Sequence, residues 1–297
     1  MIEASTKIGS CQQKSKELIM ANHLPDEKKS LVLSLLTEGQ SIRATSRIAD
    51  VSQPTILKLL VEAGDKARDI HDTLIHKVES RRIQVDEVWA YVGCKQRRVK
   101  SEEQDERGDF YTFIALDADT KLVPCYRVGK RTKKFTRSFL MELSIRVPGR
   151  FQLSTDSFAP YLDTVDRIWG QDIDYAQIHK EYADTPEPQK RYSPGRIIRV
   201  TKNIMLGYPQ PRDISTSYVE RQNLTVRMQM RRFTRLTNGF SKKLRNLEAA
   251  VDLHFYWYNW MRTHQTLRVT PAMEARLTGK LWTWDDLLTW QKECQAA

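Results

Sequence analysis

The run 83–92, IQVDEVWAYV, constrains what this chain can fold into more than any other stretch. It alternates at the period of a strand and is apolar on both faces, the pattern of a strand covered by protein on each side. Yet Asp86 and Glu87 sit inside it. Burying a carboxylate without a partner is costly, so a fold that accepts this strand must supply compensation at its middle. Neighbouring strand residues face opposite sides, and the two acids cannot both point into one site. Asp86 shares its face with Val88, Ala90 and Val92, whereas Glu87 shares its own with Trp89 and Tyr91. Spacing alone does not choose between them.

What surrounds this run sets the fold class. Further strand-like runs occupy 110–116, 121–128, 151–154 and 173–179, with helical patterns at 133–147 (KKFTRSFLMELSIRV) and 161–169. Three strands joined by short turns, then helix and strand in alternation, predict a mixed five-stranded sheet with helices on both faces. The stretch 183–212 is rich in Pro, Gly and charge and reads as an irregular basic insertion. A helix at 241–261 follows, apolar all round at HFYWYNW and therefore expected to be buried. His254 within it reads as a core histidine.

Ahead of the strands the texture is helical. Pro25-Asp26 opens one helix, Ser41 caps a second, and Asp50-Val51-Ser52 breaks the chain before a third that starts at Gln53 and is expected to stop at Gly64. Helix, helix, tight turn, helix is the helix-turn-helix pattern, with Asp50 at the position that demands a positive φ. Gln53, Thr55 and Lys58, early in the third helix, are then the candidates to enter a major groove. Residues 68–82 read as a charged linker. Four units result: a polar segment 1–24, a helix-turn-helix domain 25–75, a sheet domain 76–275 and a tail 276–297.

Charge points to a polyanionic partner. The 297 residues carry 48 Lys and Arg against 37 Asp and Glu, a net +11, and excess positive charge of this size suits nucleic acid. Most of it is local: 217–245 holds Arg221, Arg227, Arg231, Arg232, Arg235, Lys242, Lys243 and Arg245 against one acid, Glu220. The four cysteines are scattered without metal-ligand spacing, and no apolar run is long enough to span a membrane. Both features fit a reduced, cytoplasmic setting.

Two more acids stand out. Asp156 in STDSFAPY ends a predicted strand, where open sheets place their sites; Pro160 argues that the next helix starts too late for Asp156 to cap it. Glu220 forms a capping-box match with Ser217, yet it is also the lone acid in a cationic stretch.

Together DEVWAYVG, STDSFAPY and YVERQNLTVRMQMRRFTRLTNGFSKKL resemble, in order, the three acid motifs of the DDE transposases of the bacterial insertion sequence one family; YNWMRTHQTLRVTPAMEA resembles the close of many transposase and integrase cores. The resemblance covers most of the chain. It implies a ribonuclease H-like core in which Asp86, Asp156 and Glu220 hold two Mg2+ ions, replaceable by Mn2+, for in-line displacement at phosphorus. It also implies that Arg227, two helical turns past Glu220, belongs to the site. The expected function is cleavage at the ends of an insertion sequence and joining of the freed 3′-hydroxyl to target DNA. Expected partners are double-stranded DNA, contacted by Arg221, Arg231, Arg232, Arg235, Lys242 and Lys243, and further copies of the chain bound to it. Glu87 is expected to face away in a structural role. A DNA-binding regulator with an inactive catalytic domain, or a nuclease without strand transfer, are the competing expectations. Some members of the family carry a cysteine zinc finger ahead of the helix-turn-helix; here Cys11 stands alone.

Overall fold

The computed structural model describes residues 24–184 and 195–291. The expectations for 1–23, for 185–194 and for the last six residues lie outside the described residues.

Six strands form one sheet: β1 (Arg82–Val92), β2 (Gly108–Asp117), β3 (Cys125–Gly129), β4 (Gln152–Asp156), β5 (Asp174–Tyr182) and β6 (Ile197–Leu206), in the order β3-β2-β1-β4-β5-β6. β1, β2 and β3 pair antiparallel, the first connection being longer than the expected short turn (93–107, with two 3-10 turns), and β4 and β5 join parallel through helical crossovers. The predicted sheet had five strands. The sixth comes from the stretch expected to be irregular: β6 pairs antiparallel with β5 from Tyr175–Leu206 to Tyr182–Ile197. As an edge strand it needs one partner only, and Ile197, Ile198, Val200 and Ile204 remain exposed. No buried face imposes the alternation by which a strand is recognised.

Helices α4 (Lys133–Arg146) and α5 (Pro160–Trp169) cover one face of the sheet. There Phe113 packs against Phe135 and Phe139. The other face carries α6 (Ser217–Gln229) and α7 (Leu244–Tyr256), whose last turn continues as a π-helix over Trp257–Met261. Tyr126 of β3 stacks on Phe255 there, ring centroids 4.3 Å apart. Residues 254–256 and 258–260 are buried, as the HFYWYNW pattern predicted.

The N-terminal helices are α1 (Asp26–Thr37), α2 (Ile42–Ala49) and α3 (Gln53–Leu74). Ser41 Oγ accepts from Ala44 N at 3.1 Å, Ser52 Oγ from Thr55 N at 3.3 Å, and Asp50 ends α2 at φ 52. These local expectations hold. The end of α3 does not: it runs ten residues past Gly64, through what reads as a linker. Gly64 is there for close approach, since a Cβ would stand 2.6 Å from Ala249 Cα on α7. Beyond it Arg68 reaches Asp252 of α7 at 3.0 Å and lies over the Tyr126 ring. Helix α8 (Pro271–Glu274) and helix α9 (Trp284–Thr289) follow. Trp284 of α9 donates to Ser34 Oγ at 2.7 Å, tying this end of the chain to α1. No helix among the described residues is long and apolar enough to cross a membrane.

Candidate carboxylate centre

The site begins where β1 and β4 part. Their pairing ends at Gln84–Ser154, and continuing the same register brings Asp86 level with Asp156, the last residue of β4. In-register residues of parallel strands share a face, so both aspartates rise on the side covered by α6. Gln84, buried two residues before Asp86, accepts from the backbone N–H groups of Tyr218 and Val219 at 2.9 and 3.1 Å. It thereby satisfies two donors that every helix start leaves open and fixes α6 against β1. One turn along α6, Asn223 donates to Asp86 Oδ2 at 2.8 Å.

Glu87 does face the other side, where Tyr161 of α5 donates to it. It is nevertheless not remote. One oxygen from each of Asp86, Glu87 and Asp156 lies within 4.8 Å of the others. On the β4 side no backbone ladder divides the faces at this level, and glutamate's extra methylene lets its carboxylate reach across. The expectation that Glu87 faces away is corrected to that extent. Arg131, in the loop before α4, stands 3.3 Å from both Glu87 and Asp156, its guanidinium over the Phe158 ring at 3.9 Å. Asp156 Oδ1 also accepts from Phe158 N at 3.0 Å, closing a local turn before α5 starts at Pro160.

Negative charge outweighs positive here. Burial pushes the Asp86 carboxyl up to about 6, with the charges of Asp156 and Glu220 adding to the effect. Burial likewise lifts Glu87 to about 7, again with Asp156 adding, against the opposing hydrogen bond from Tyr161 and the charge of Arg131.

Glu220 stands on α6, outside the three-carboxylate group, though near enough to act on Asp86. The capping box with Ser217 is absent: Thr216 is the N-cap, and its hydroxyl donates to Glu220 at 2.5 Å. Ser217 pairs with Ser215 instead, 2.9 Å between hydroxyls. Lys180 of β5 forms an ion pair with Glu220. Arg227 is half-buried and makes no ion pair among the described residues. Burial lowers its guanidinium, nearby Arg235 lowers it further, and the charge of Asp86 opposes both.

Of the other predicted contact residues, Gln53, Thr55, Lys58, Arg221, Arg231, Arg235, Lys242 and Lys243 are exposed. Arg232 is not. The 3-10 turn Arg231–Phe233 folds it inward, where Nη1 donates to Ser241 Oγ at 2.9 Å and Nη2 is buried without a partner among the described residues. Sequence reasoning missed Arg131, Lys180, Gln84 and Asn223. Only Asn223, three residues past Glu220 and so on its helical face, carried a local signal.

The sequence matches no protein-family model and no curated protein. Among solved structures it is similar to the Mos1 strand transfer complex at 10% identity, covering 58% of this chain and 60% of that one with a TM-score of 0.22. The Mos1 transposase paired-end complex with left transposon end gives 10% identity, 58% and 61% coverage and a TM-score of 0.21. A pre-cleavage Mos1 transpososome gives 10%, 57%, 61% and 0.19. The chain thus spans about three-fifths of the length of these chains.

Proposed function

We propose that this chain is a DNA transposase of the DDE kind, of the type found in the insertion sequence one family, with a ribonuclease H-like core. The observation that carries the reading is the meeting of Asp86 and Asp156 at the parted ends of β1 and β4, under a helix that brings Glu220 alongside. A strand order in which three antiparallel strands lead into two parallel ones agrees with it.

The residues fit a divalent metal. Carboxylate oxygens of Asp86 and Asp156 within 4.8 Å of each other supply hard oxygen donors, and Asn223 Oδ1 is a buried acceptor with no partner among the described residues. Asp86 and Asp156 would hold the metal, joined by Glu220 once it leaves Lys180. Bound there, Mg2+ or Mn2+ would supply Lewis-acid stabilisation of charge developing on the phosphoryl oxygens. The chain's own residues do the rest. Arg227, close enough to feel the Asp86 charge, would hold the scissile strand by a phosphate, and Asn223 fixes the Asp86 carboxylate. Gln53, Thr55 and Lys58 at the tip of α3 are placed to read the element's end, in a helix-turn-helix role. The exposed cations from Arg221 to Lys243 would contact the phosphate backbone of double-stranded DNA, and catalysis would proceed in an assembly of several copies.

The test is cleavage and strand transfer on element-end DNA with Mg2+ or Mn2+, beside an end-binding assay. Asp86→Ala, Asp156→Ala and Glu220→Ala should each abolish both reactions and leave binding within a few fold. Glu87→Gln, which keeps a partner for Tyr161, should retain activity. With DNA saturating, Arg227→Ala should lose roughly a hundredfold in single-turnover rate, the scale of a misplaced reacting group, whereas Arg235→Ala should lose mainly affinity. End binding by the wild type without cleavage in either metal would return the chain to the regulator reading.

A further inference from the structure

A second concave site lies between the N-terminal helices and the segment around 230–254, well away from β4. It is a cleft of about 730 Å³. Four cations line it, Arg43, Arg231, Arg232 and Lys242, and no carboxylate does among the described residues. Two of its lining residues hold buried polar atoms without a hydrogen-bond partner there, Arg232 Nη2 and His254 Nδ1. A buried guanidinium nitrogen facing no anion costs stability, and burial pushes this arginine down to about 10. Nothing among the described residues repays that cost, since Ser241 takes only Nη1.

The rest of the wall limits what could repay it. A phosphate group would satisfy Arg232 but leave most of the volume unfilled. Leu36, Leu57 and Phe240 supply apolar surface, with the Phe240 ring braced on Tyr91 at 4.6 Å between centroids. Asn238 and Asn246 supply amide donors and acceptors beside it. Mostly apolar walls with a few convergent polar groups make a small-molecule site; a cationic end, an apolar slot and two amides suit a phosphate joined to a flat, hydrogen-bonding ring.

We infer that this cleft binds one nucleotide unit, its phosphate on Arg232 and its base in the slot formed by Leu36, Leu57 and Phe240. The unit has two possible sources: a free nucleotide, or a nucleotide swung out of a DNA strand lying across the start of α3, whose first residue, Gln53, is also in the wall. The second source rests on the DNA reading above; the first does not.

Two measurements on the full chain separate these cases. The first is Tm with millimolar dAMP, inorganic phosphate or adenosine. The wild type should gain several degrees with dAMP, less with phosphate and none with adenosine. Arg232→Met should lose the dAMP gain while melting no lower than the wild type, because an unpaired buried charge has been removed. Asn246→Leu should keep the phosphate gain and lose the extra given by the base. The second measurement uses duplex DNA carrying one extrahelical 2-aminopurine, against the same base paired. Its fluorescence should change on binding only when extrahelical, and only in the wild type, with duplex affinity of Arg232→Met within about threefold. A dAMP gain without the fluorescence change assigns the cleft to a free nucleotide. Failure to bind any duplex sinks the transposase reading and leaves the dAMP result standing. An absent dAMP gain, or one unchanged in Arg232→Met, overturns the inference.

Discussion

Arg146 and Arg232 are both arginines drawn in from the surface, and the molecule treats them oppositely. Arg146 closes a complete network: it donates to Asp72 and Glu142 at 2.5 and 2.8 Å, and to the carbonyls of Ile75 and His71 at 2.8 and 3.4 Å. It thus serves the open carbonyl of Ile75 at the end of α3, adds a second donor to that of His71, and pairs with two acids. Arg232 has a serine and an orphaned nitrogen. The carboxylates at the middle of β1 resemble the second case with the sign reversed, three acids clustered with one cation, Arg131, which pairs with Glu87 and Asp156 and leaves Asp86 without one. Charge withdrawn for architecture is neutralised by the chain itself. Charge withdrawn for binding is left for something else to neutralise.

That contrast can be broken at three points. Arg146→Met should cost most, about 3 kcal/mol in denaturant unfolding, because it leaves the Ile75 carbonyl without its donor and takes the nearest cation from Asp72 and Glu142 at once. A loss under 1 kcal/mol would mean the network is incidental. Asp86→Asn should do the reverse. Its carboxyl is raised by burial, so at pH 7 the charged form is held at a cost in the fold that the unfolded chain does not bear. The amide should stabilise the metal-free protein by roughly 1–3 kcal/mol and abolish the rise in Tm caused by Mg2+ or Mn2+. A destabilised variant that still answers to metal would remove Asp86 from the centre.

The smallest effect concerns His254. Burial pushes its imidazole down to about 3, with Arg262 adding. It is neutral in the fold and charged in the unfolded chain below about 6.5. Its contribution is therefore present above that pH and lost as pH falls toward 3. Wild type should lose about 1 kcal/mol per pH unit between 6 and 5 relative to His254→Gln. Parallel stability curves for the two proteins would show that the orphaned ring nitrogen finds a proton acceptor.

Much of this architecture was legible in the sequence because its causes are local. Asp50 at positive φ, the Ser41 cap, the break before Gln53, the period of β1 and the start of α5 around Pro160 each follow from a few neighbouring residues. What escaped depends on distant partners. Gly64 carries every mark of a helix stop, and only the approach of Ala249 makes it something else. Edge strand β6 buries no face and so leaves no pattern. The carboxylate centre divides the same way. Asp86 and Asp156 announced themselves by context, whereas Glu87 joins them because the β1–β4 ladder stops early, a property of two strands and not of one. Arg232 read as one more surface cation because nothing nearby in sequence reveals which way a 3-10 turn will point it.

The uninterrupted α3 has a mechanical consequence. Its 22 residues form a rod about 33 Å long, close to one full turn of B-form DNA. One tip carries Gln53 and Thr55; the far half is pinned to α7 by the Ala249 contact and by the Arg68–Asp252 pair. There is no joint between them. The position of the tip is therefore set by the packing of α3 on α7, through one continuous helix and not across a tether.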